Sequence, residues 1–138
     1  MVRIVSTQPA SFTMRMPVRP RGQERARVVR SASGVRAYTP NASANAQREI
    51  RELWLLAGRP CVPEGAAFRA EICATFKRPK AHAGRRDVRG PRPDVDNIAK
   101  LVLDALQGHA FADDTDCHAL TVEKRWGEAD EVAVTLAW

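Results

Sequence analysis

The chain has 138 residues, enough for a single domain that buries roughly two-thirds of its unfolded surface. No apolar run approaches the ~20 residues that span a bilayer, and the first residues lack the apolar stretch of a signal peptide. Cys61, Cys73 and Cys117 have no metal-ligand spacing, so we expect reduced, buried, small apolar residues. These features predict a one-domain cytoplasmic protein with no membrane partner.

Charge is distributed unevenly along the chain. Residues 1–92 carry 19 basic and 6 acidic side chains, a net charge of +13, whereas residues 93–138 carry 3 basic and 10 acidic side chains, a net charge of −7. Of the 22 basic residues, 18 are arginines, whose guanidinium groups favour bidentate phosphate contacts. A basic surface alone is equally typical of an ordinary soluble protein and of a nucleic-acid-binding protein.

The first part of the chain predicts a strand followed by a basic loop. Ser11 to Val18 alternates apolar and polar residues, which is typical of a half-buried strand. The arginine-rich stretch 19–36 contains Pro20, Gly22 and Gly34, so it predicts a loop. A short hairpin is expected within and after it, through residues 27–30 and 35–38.

A helix, a second strand and a second loop follow. Thr39-Pro40 is typical of a helix start, and an apolar stripe then runs at helical spacing to Ala57, before Gly58 and Pro60 end it. Residues 68–76 alternate and predict a strand. Residues 77–93 hold seven Lys/Arg residues, one acid and several Pro and Gly residues, so they predict a mobile basic loop.

The last third predicts a helix and two strands. The helix covers roughly Val95–Gln107, the third strand Cys117–Trp126, and the fourth strand the alternating residues 132–138, expected as an antiparallel partner of the third. The order of elements predicts an α+β fold: one small domain, residues 1–138, in which two main helices pack on a mixed sheet of about four strands.

Acidic residues cluster at the start of the second helix. On a helical wheel, Asp96, Asn97 and Lys100 share the polar face, whereas Asp94 falls on the apolar side and is therefore expected at the N-cap, before the helix body. Capping and the helix dipole are sufficient reasons for either aspartate taken singly. Asp96 and Lys100 also have the spacing of an ordinary ion pair worth about 0.3–0.5 kcal/mol.

A second acidic group lies before the third strand. Asp113, Asp114 and Asp116 are compatible with simple turn residues, and Asp104 with a solvated helix position. A short connection can return Asp113-Asp114 toward the helix start. Three carboxylates would then surround one or two hard cations. Acids that hold a cation, beside arginines that hold phosphates, indicate metal-assisted chemistry on nucleic acid.

An ordered set of motifs resembles the RusA-like Holliday-junction resolvase family. The set is a basic loop, Asp94-Val95-Asp96-Asn97-Ile98-Ala99-Lys100, then Leu103-Asp104-Ala105-Leu106, then Phe111-Ala112-Asp113-Asp114 before a strand. The match is specific over about 88–126. The first 65 residues match only in general layout.

The resemblance implies an activity, its residues and its partners. It implies an Mg²⁺-dependent (or Mn²⁺-dependent) homodimer without organic cofactor, which resolves four-way DNA by paired nicks during recombination and repair. The implied catalytic residues are Asp94, Asp96, Asp114 and Lys100, the three aspartates being the metal ligands. Only the resemblance selects Asp114 over Asp113, and Asp113 and Asp104 are secondary candidates.

The expected DNA contacts are basic or polar and surround the acidic motif. They comprise Arg19, Arg21, Arg78, Lys80, Arg85, Arg86, Arg89, Arg92, Asn97 and Lys100, with Arg25 and Arg27 as additional phosphate contacts. His109 and His118 have no ligand spacing and are expected to be structural. Tyr38 and Phe111 are expected to pack rather than to stack on bases. A flap- or fork-specific nuclease with the same residues, and a non-catalytic phage DNA-binding module, are the alternatives.

Overall fold

The structure is a computed structural model that describes residues 2–8, 10–38, 40–80 and 92–138, with the backbone alone for residues 4–8. The described elements are the strands β1 (Arg3–Gln8), β2 (Ser11–Met16), β3 (Arg27–Ser31), β4 (Gly34–Tyr38), β5 (Phe68–Lys77), β6 (Cys117–Gly127) and β7 (Glu131–Ala137), and the helices α1 (Asn41–Leu56) and α2 (Val95–Leu106).

A mixed sheet of five strands in the order β1-β2-β7-β5-β6 forms the body of the protein. All neighbours are antiparallel except β5 and β6, which run parallel from Phe68 beside Cys117 to Lys77 beside Gly127. The α+β class, the mixed sheet and the two helices are confirmed. β1, which lies at the outer edge beside β2, is one strand more than the sequence patterns predicted.

The predicted pairing of the last two strands is wrong. β6 and β7 are joined by a short turn, yet β5 lies between them and hydrogen-bonds to both. The turn crosses the end of β5, where the Asp130 side chain accepts the backbone N–H of Lys77 at 2.8 Å and the Gly127 carbonyl accepts that of Arg78 at 3.0 Å. A short turn between two strands is typical of a hairpin, but β6 and β7 do not pair with each other in this sheet.

Each main strand places alternate side chains against the helices. Along β5 the buried side chains are Phe68, Ala70, Ile72, Ala74 and Phe76, which is the face that the alternation predicted. Neighbouring strands add Phe12, Met14 and Met16 from β2 and Val132, Val134 and Leu136 from β7. The core therefore forms a single layer between this sheet face and the two helices.

The two helices bury the apolar stripes that the sequence predicted. α1 buries Ala46, Ile50 and Trp54, and ends just before Gly58, whose φ is +93°. Pro40 occupies its N-cap, and the predicted capping hydroxyl of Thr39 lies outside the described residues. On α2 the first-turn Val95 is 41% exposed and Leu103 is half-buried, while the other apolar residues are buried: Ile98, Ala99, Leu101, Val102, Ala105 and Leu106.

β3 and β4 form the predicted hairpin as a separate two-stranded sheet with exposed side chains. The three cysteines are free, as expected, but the prediction that all are buried is wrong. Cys61 is exposed in a loop, and its thiol donates to the carbonyls of Arg59 and His109 at 3.2 Å. Cys61 therefore makes polar contacts at the surface, where its residue type had suggested burial among apolar side chains.

Of the helices that the structure describes, neither has the length and apolar character required to cross a membrane.

The inner and outer faces of β5 differ sharply in their expected contribution to stability. Ile72 is 2% exposed at the centre of the sheet, so Ile72→Ala is expected to lower the free energy of unfolding by about 2–5 kcal/mol. Its neighbour Glu71 points to the exposed face, so Glu71→Ala is expected to change it by about 0.5 kcal/mol or less. Urea unfolding of both variants measures the difference, and equal losses would contradict the assigned faces.

Candidate active-site cleft

Asp94 occupies the N-cap of α2, as the helical wheel predicted. Its backbone is extended, with φ −72° and ψ 156°, and its side chain makes no capping hydrogen bond. An N-cap aspartate usually accepts a backbone N–H of the first turn, which is the ordinary reason for its presence there. Because this carboxylate is exposed and does not cap the helix, capping does not account for it.

Asp96, one residue inside the helix, is also exposed and has no cation partner in the described part of the chain. The sequence spacing suggested an ion pair with Lys100. Lys100 Nζ instead lies 3.3 Å from an Asp104 oxygen, so the lysine pairs toward the C-terminal end of α2. Both carboxylates at the helix start therefore keep their oxygens available.

A cleft of about 690 Å³ opens beside these two carboxylates. Two further elements contribute to its walls: the first turn of α1, and residues 19–25, which we call the arginine strap. The lining residues are Arg19, Pro20, Arg21, Gly22, Gln23, Glu24, Arg25, Ala42, Ser43, Arg92, Pro93, Asp94, Asp96 and Asn97. The structure thus brings together Asp94, Asp96 and several of the predicted phosphate-binding residues.

Backbone hydrogen bonds fix the arginine strap across the starts of both helices. The N–H of Gln23 donates to the Asn97 carbonyl at 2.9 Å in the first turn of α2, and the N–H of Glu24 donates to Ser43 Oγ at 2.9 Å in the first turn of α1. Gln47 Nε2 adds a bond of 2.8 Å to the Gln23 side chain. The arginines are therefore held on a braced segment rather than on a free loop.

Gly22 allows the strap to approach α2 so closely. A Cβ at this position would lie 2.6 Å from Pro93 Cβ and 3.0 Å from Asn97 Cβ, closer than such atoms approach without displacement. Neither the proline ring nor a helical Cβ can rotate away. Any larger side chain at position 22 therefore has to lift the strap from the helix start.

The electrostatics of the cleft favour a bound anion and, in addition, a cation. Two helix N-termini, with their partly positive backbone N–H groups, meet the guanidinium groups of Arg19, Arg21 and Arg92. Such surroundings suit phosphate oxygens. Two exposed carboxylates in the same cleft repel those oxygens unless a cation lies between them, which is the arrangement expected of a metal-dependent site on nucleic acid.

Lys124 is a cleft-edge residue that the sequence patterns did not single out. It lies on β6, and its Nζ donates to the carbonyl of Pro93 at 3.3 Å, immediately before Asp94. The parallel register explains the position, since Lys124 lies beside Ala74, far along β5, and on the helix-facing side of the sheet. No local pattern marks it, because its place depends on the pairing of two distant strands.

Asp113 and Asp114 lie near the other end of α2. A short 3₁₀ turn (Asp114–Asp116) opens β6, and the backbone N–H of Asp114 lies 3.3 Å from the side-chain oxygen of Gln107, just beyond the last turn of α2. A helix of 12 residues is about 18 Å long, so the connection does not return these acids to the start of the helix. Asp114 is not among the residues that line the cleft.

The Asp113 carboxylate has a local structural role. It accepts the backbone N–H of Thr115 at 2.9 Å and so caps the 3₁₀ turn. This backbone hydrogen bond lowers the pKa of Asp113 below its ordinary value, with a smaller contribution from the Thr115 side chain. Within the pair, Asp113 is therefore engaged in a turn, while the Asp114 carboxylate lies beside the Gln107 amide.

The donor set in the cleft suits a magnesium ion with an incomplete protein shell. Across the described ranges, no three His, Cys, Asp or Glu side chains are arranged to hold a metal ion together. Mg²⁺, however, is usually held by one or two carboxylates and keeps several waters or phosphate oxygens. The Asp94 side chain makes no capping hydrogen bond, and both Asp94 and Asp96 line the cleft. A magnesium ion therefore fits the residues present.

A family model described as endodeoxyribonuclease RusA matches residues 17–137 of the chain. The chain belongs to the RusA endodeoxyribonuclease family. The match begins just after β2 and covers β3 to β7 and both helices. It therefore includes every residue that lines the cleft. A search of curated proteins finds no match.

Other predicted DNA contacts of this RusA-family chain lie elsewhere. Arg78 and Lys80 follow β5 and are exposed, outside the lining of the cleft. Arg85, Arg86 and Arg89 lie outside the described residues, as does His82. Their proposed contacts with DNA stay predictions.

The expected packing of Phe111 is confirmed. Its ring is 3% exposed and lies 4.7 Å from that of Phe68. Tyr38, which was also expected to pack, is instead 38% exposed on β4. His109 is exposed, and its ring lies edge-on to Trp54 with centroids 5.6 Å apart. None of these three residues lines the cleft of the RusA-family site.

Gly22→Ala is expected to displace the arginine strap. Seating the added methyl group against Pro93 is expected to lower the free energy of unfolding by about 1–3 kcal/mol and to weaken DNA cleavage. Ser43→Ala, which removes the acceptor of the Glu24 N–H, is an independent variant with the same expected direction. Urea unfolding and a cleavage assay measure both effects, and a Gly22→Ala protein indistinguishable from the wild type would contradict the close approach.

Asp113→Asn is expected to change the pH dependence of stability. Because the folded pKa is lowered, the ionised carboxylate stabilises the fold above its unfolded pKa, and this contribution is lost as pH falls through the folded pKa. The variant is therefore expected to be less stable than the wild type at neutral pH, with the difference shrinking in acid. Thermal unfolding at a series of pH values tests this, and a constant difference would contradict it.

Proposed function

We propose that this protein is an Mg²⁺-dependent endodeoxyribonuclease that resolves Holliday junctions by paired nicks. The observation that carries the proposal is the cleft at the start of α2. Two uncommitted carboxylates, Asp94 and Asp96, lie there among arginines of the strap, in a chain of the RusA endodeoxyribonuclease family. The setting is DNA recombination and repair in the cytoplasm of a bacterial or phage-infected cell.

Asp94 and Asp96 are the proposed protein ligands of the cation, Mg²⁺ or Mn²⁺. When bound, the ion supplies a polarised phosphodiester and a water of lowered pKa. The chain prepares the site by placing both aspartates in one cleft with arginines and the start of α2. No organic cofactor is part of the proposal.

Arginines position the DNA backbone around these acids. Arg19, Arg21 and Arg92 line the cleft and are proposed to bind phosphates on either side of the scissile one, and Asn97 offers its amide at the same helix start. Because the strap backbone is already bonded to both helices, DNA binding has to order only the arginine side chains. Phosphate contacts of this kind position a branched duplex without reading its sequence.

Lys100 and Asp114 complete the proposed catalytic set by family resemblance. Lys100 lies one turn from Asp96 and is 63% exposed, so its ammonium group can exchange the Asp104 contact for a developing negative charge on the leaving oxygen. Asp114 lies toward the other end of α2, and its role as a metal ligand is proposed on the resemblance alone. We further propose a homodimer, because resolution requires two sites that nick two opposed strands.

Asp96→Asn tests the proposed function. The variant is expected to lower the rate of Mg²⁺-dependent cleavage of a synthetic four-way junction by at least about a hundredfold, because one of two metal-binding carboxylates is lost. Junction binding is expected to remain. Glu49→Gln is a matched control, since it removes the same charge from an exposed position of α1 away from the cleft. Cleavage by Asp96→Asn at the wild-type rate would overturn the assignment of the metal site.

Substrate comparison separates this activity from its alternatives. The wild type is expected to nick the four-way junction symmetrically in the presence of Mg²⁺, to nick linear duplex poorly, and to stop when the ion is chelated. Preferential cutting of a flap or fork would assign a different branched substrate. Binding without cleavage, indifferent to Mg²⁺, would instead identify a non-catalytic DNA-binding module.

A further inference from the structure

The β3–β4 hairpin presents two chemically different faces. Opposite residues of the antiparallel pair share a face, so Arg27 with Tyr38, and Val29 with Arg36, form one side. We call this side, with Ser31 and Gly34, the basic face of the hairpin. Val28, Ala37, Arg30 and Val35 form the other side, which we call the apolar face.

The hairpin has no covering partner among the described elements. Every residue of β3 and β4 is exposed, and the two strands form a sheet of their own. An isolated two-stranded hairpin is marginally stable in water, so a ligand that binds its folded form would stabilise it. The basic face is also hollowed, since Val29, Ser31, Gly34, Arg36 and Tyr38, with Ser33 and Val35, line a concavity of about 630 Å³.

We propose that the hairpin is a DNA-gripping arm, whose basic face binds a duplex arm of the substrate outside the catalytic cleft. This inference deepens the proposed function and rests on it. The ligand is the phosphate backbone of double-stranded DNA, and the contacts are made by Arg36 and Arg27 with the hydroxyl of Tyr38. The hairpin thereby extends the footprint of the protein beyond the scissile phosphate.

Charge favours DNA as the occupant. Residues 27–38 contain three arginines and no acid. Arg27 lies 3.7 Å from Glu24 in an exposed pair, whereas Arg36 has no ion-pair partner within the described ranges. A solvent-exposed guanidinium on a concave basic surface suits the convex, anionic backbone of a duplex.

Continuity with the cleft gives the direction of the bound duplex. Arg25 lines the cleft, and β3 begins two residues later with Arg27. A strand of five residues spans about 17 Å, roughly the rise of five base pairs. A two-stranded ribbon also has the width that a B-DNA major groove admits. The proposed path of the DNA therefore runs from the cleft, past Arg25, along the adjoining β3 strand.

Salt dependence of binding tests the arm with a matched pair of variants. Arg36→Ala and Arg30→Ala remove the same charge from the same hairpin, but from its basic and apolar faces respectively. Junction affinity is measured in a chelator, so that no cleavage intervenes, across a series of salt concentrations. The slope of log K against log salt is negative; Arg36→Ala is expected to reduce its magnitude by about 0.9, and Arg30→Ala to leave it unchanged.

Neutralising the duplex backbone provides the second measurement. On a junction whose arm phosphates beyond the scissile ones are replaced by uncharged methylphosphonates, the difference between Arg36→Ala and the wild type is expected to disappear, because the hairpin no longer faces an anionic backbone. Equal slopes for the wild type and Arg36→Ala on the unmodified junction would overturn the proposal. An Arg36 effect that persists undiminished on the neutralised arms would also overturn it, by placing the contact inside the cleft.

Interaction with a second copy is the competing outcome. If Val28→Ser with Val35→Ser lowers the molecular mass in solution while Arg36→Ala leaves DNA binding intact, the hairpin is an interface between copies and the arm is rejected. Failure of the proposed function has a different signature. A wild type that never cleaves in Mg²⁺ contradicts the nuclease assignment, whereas the slopes report on the hairpin independently.

Discussion

The close contact between Gly22 and the start of α2 is the constraint on which the site depends. It allows the arginine strap to lie against Pro93 and Asn97 and to donate its backbone N–H groups to both helices. The approach brings the strap residues Arg19 and Arg21 into the same cleft as the two carboxylates. The cleft is therefore a product of backbone packing, and its electrostatic character follows from which side chains that packing aligns.

Opposite charges share this cleft for a physical reason. The helix N-termini and the guanidinium groups of Arg19 and Arg21 favour negative charge at this place, and the carboxylates of Asp94 and Asp96 in turn reduce the repulsion among the arginines. An N-cap aspartate that does not cap gives up a contact typically worth about 1 kcal/mol. A functional requirement on the Asp94 carboxylate accounts for the loss of this capping contact.

Local patterns predicted the elements, and non-local pairing set their arrangement. The alternation of β5 and the wheel of α2 identified buried faces and placed Asp94 before the helix, because these properties depend on neighbours within a few residues. The insertion of β5 between β6 and β7 depends on residues about 50 to 70 positions apart, so no local signal revealed it. The same pairing explains why Lys124 at the cleft edge was missed.

The parallel pairing of β5 and β6 also separates Asp114 from Asp94 and Asp96, although the sequence predicted that these carboxylates lie together. β6 begins beside Gln107, near the end of α2, and runs back until Lys124 reaches Pro93 at its start. The start of α2 therefore receives a lysine from β6, and Asp114 stays toward the opposite end. In the proposed site, two carboxylates then leave most of the coordination sphere of Mg²⁺ to water and to the phosphate of DNA. Ion and substrate would accordingly bind with positive coupling, each lowering the electrostatic cost of the other.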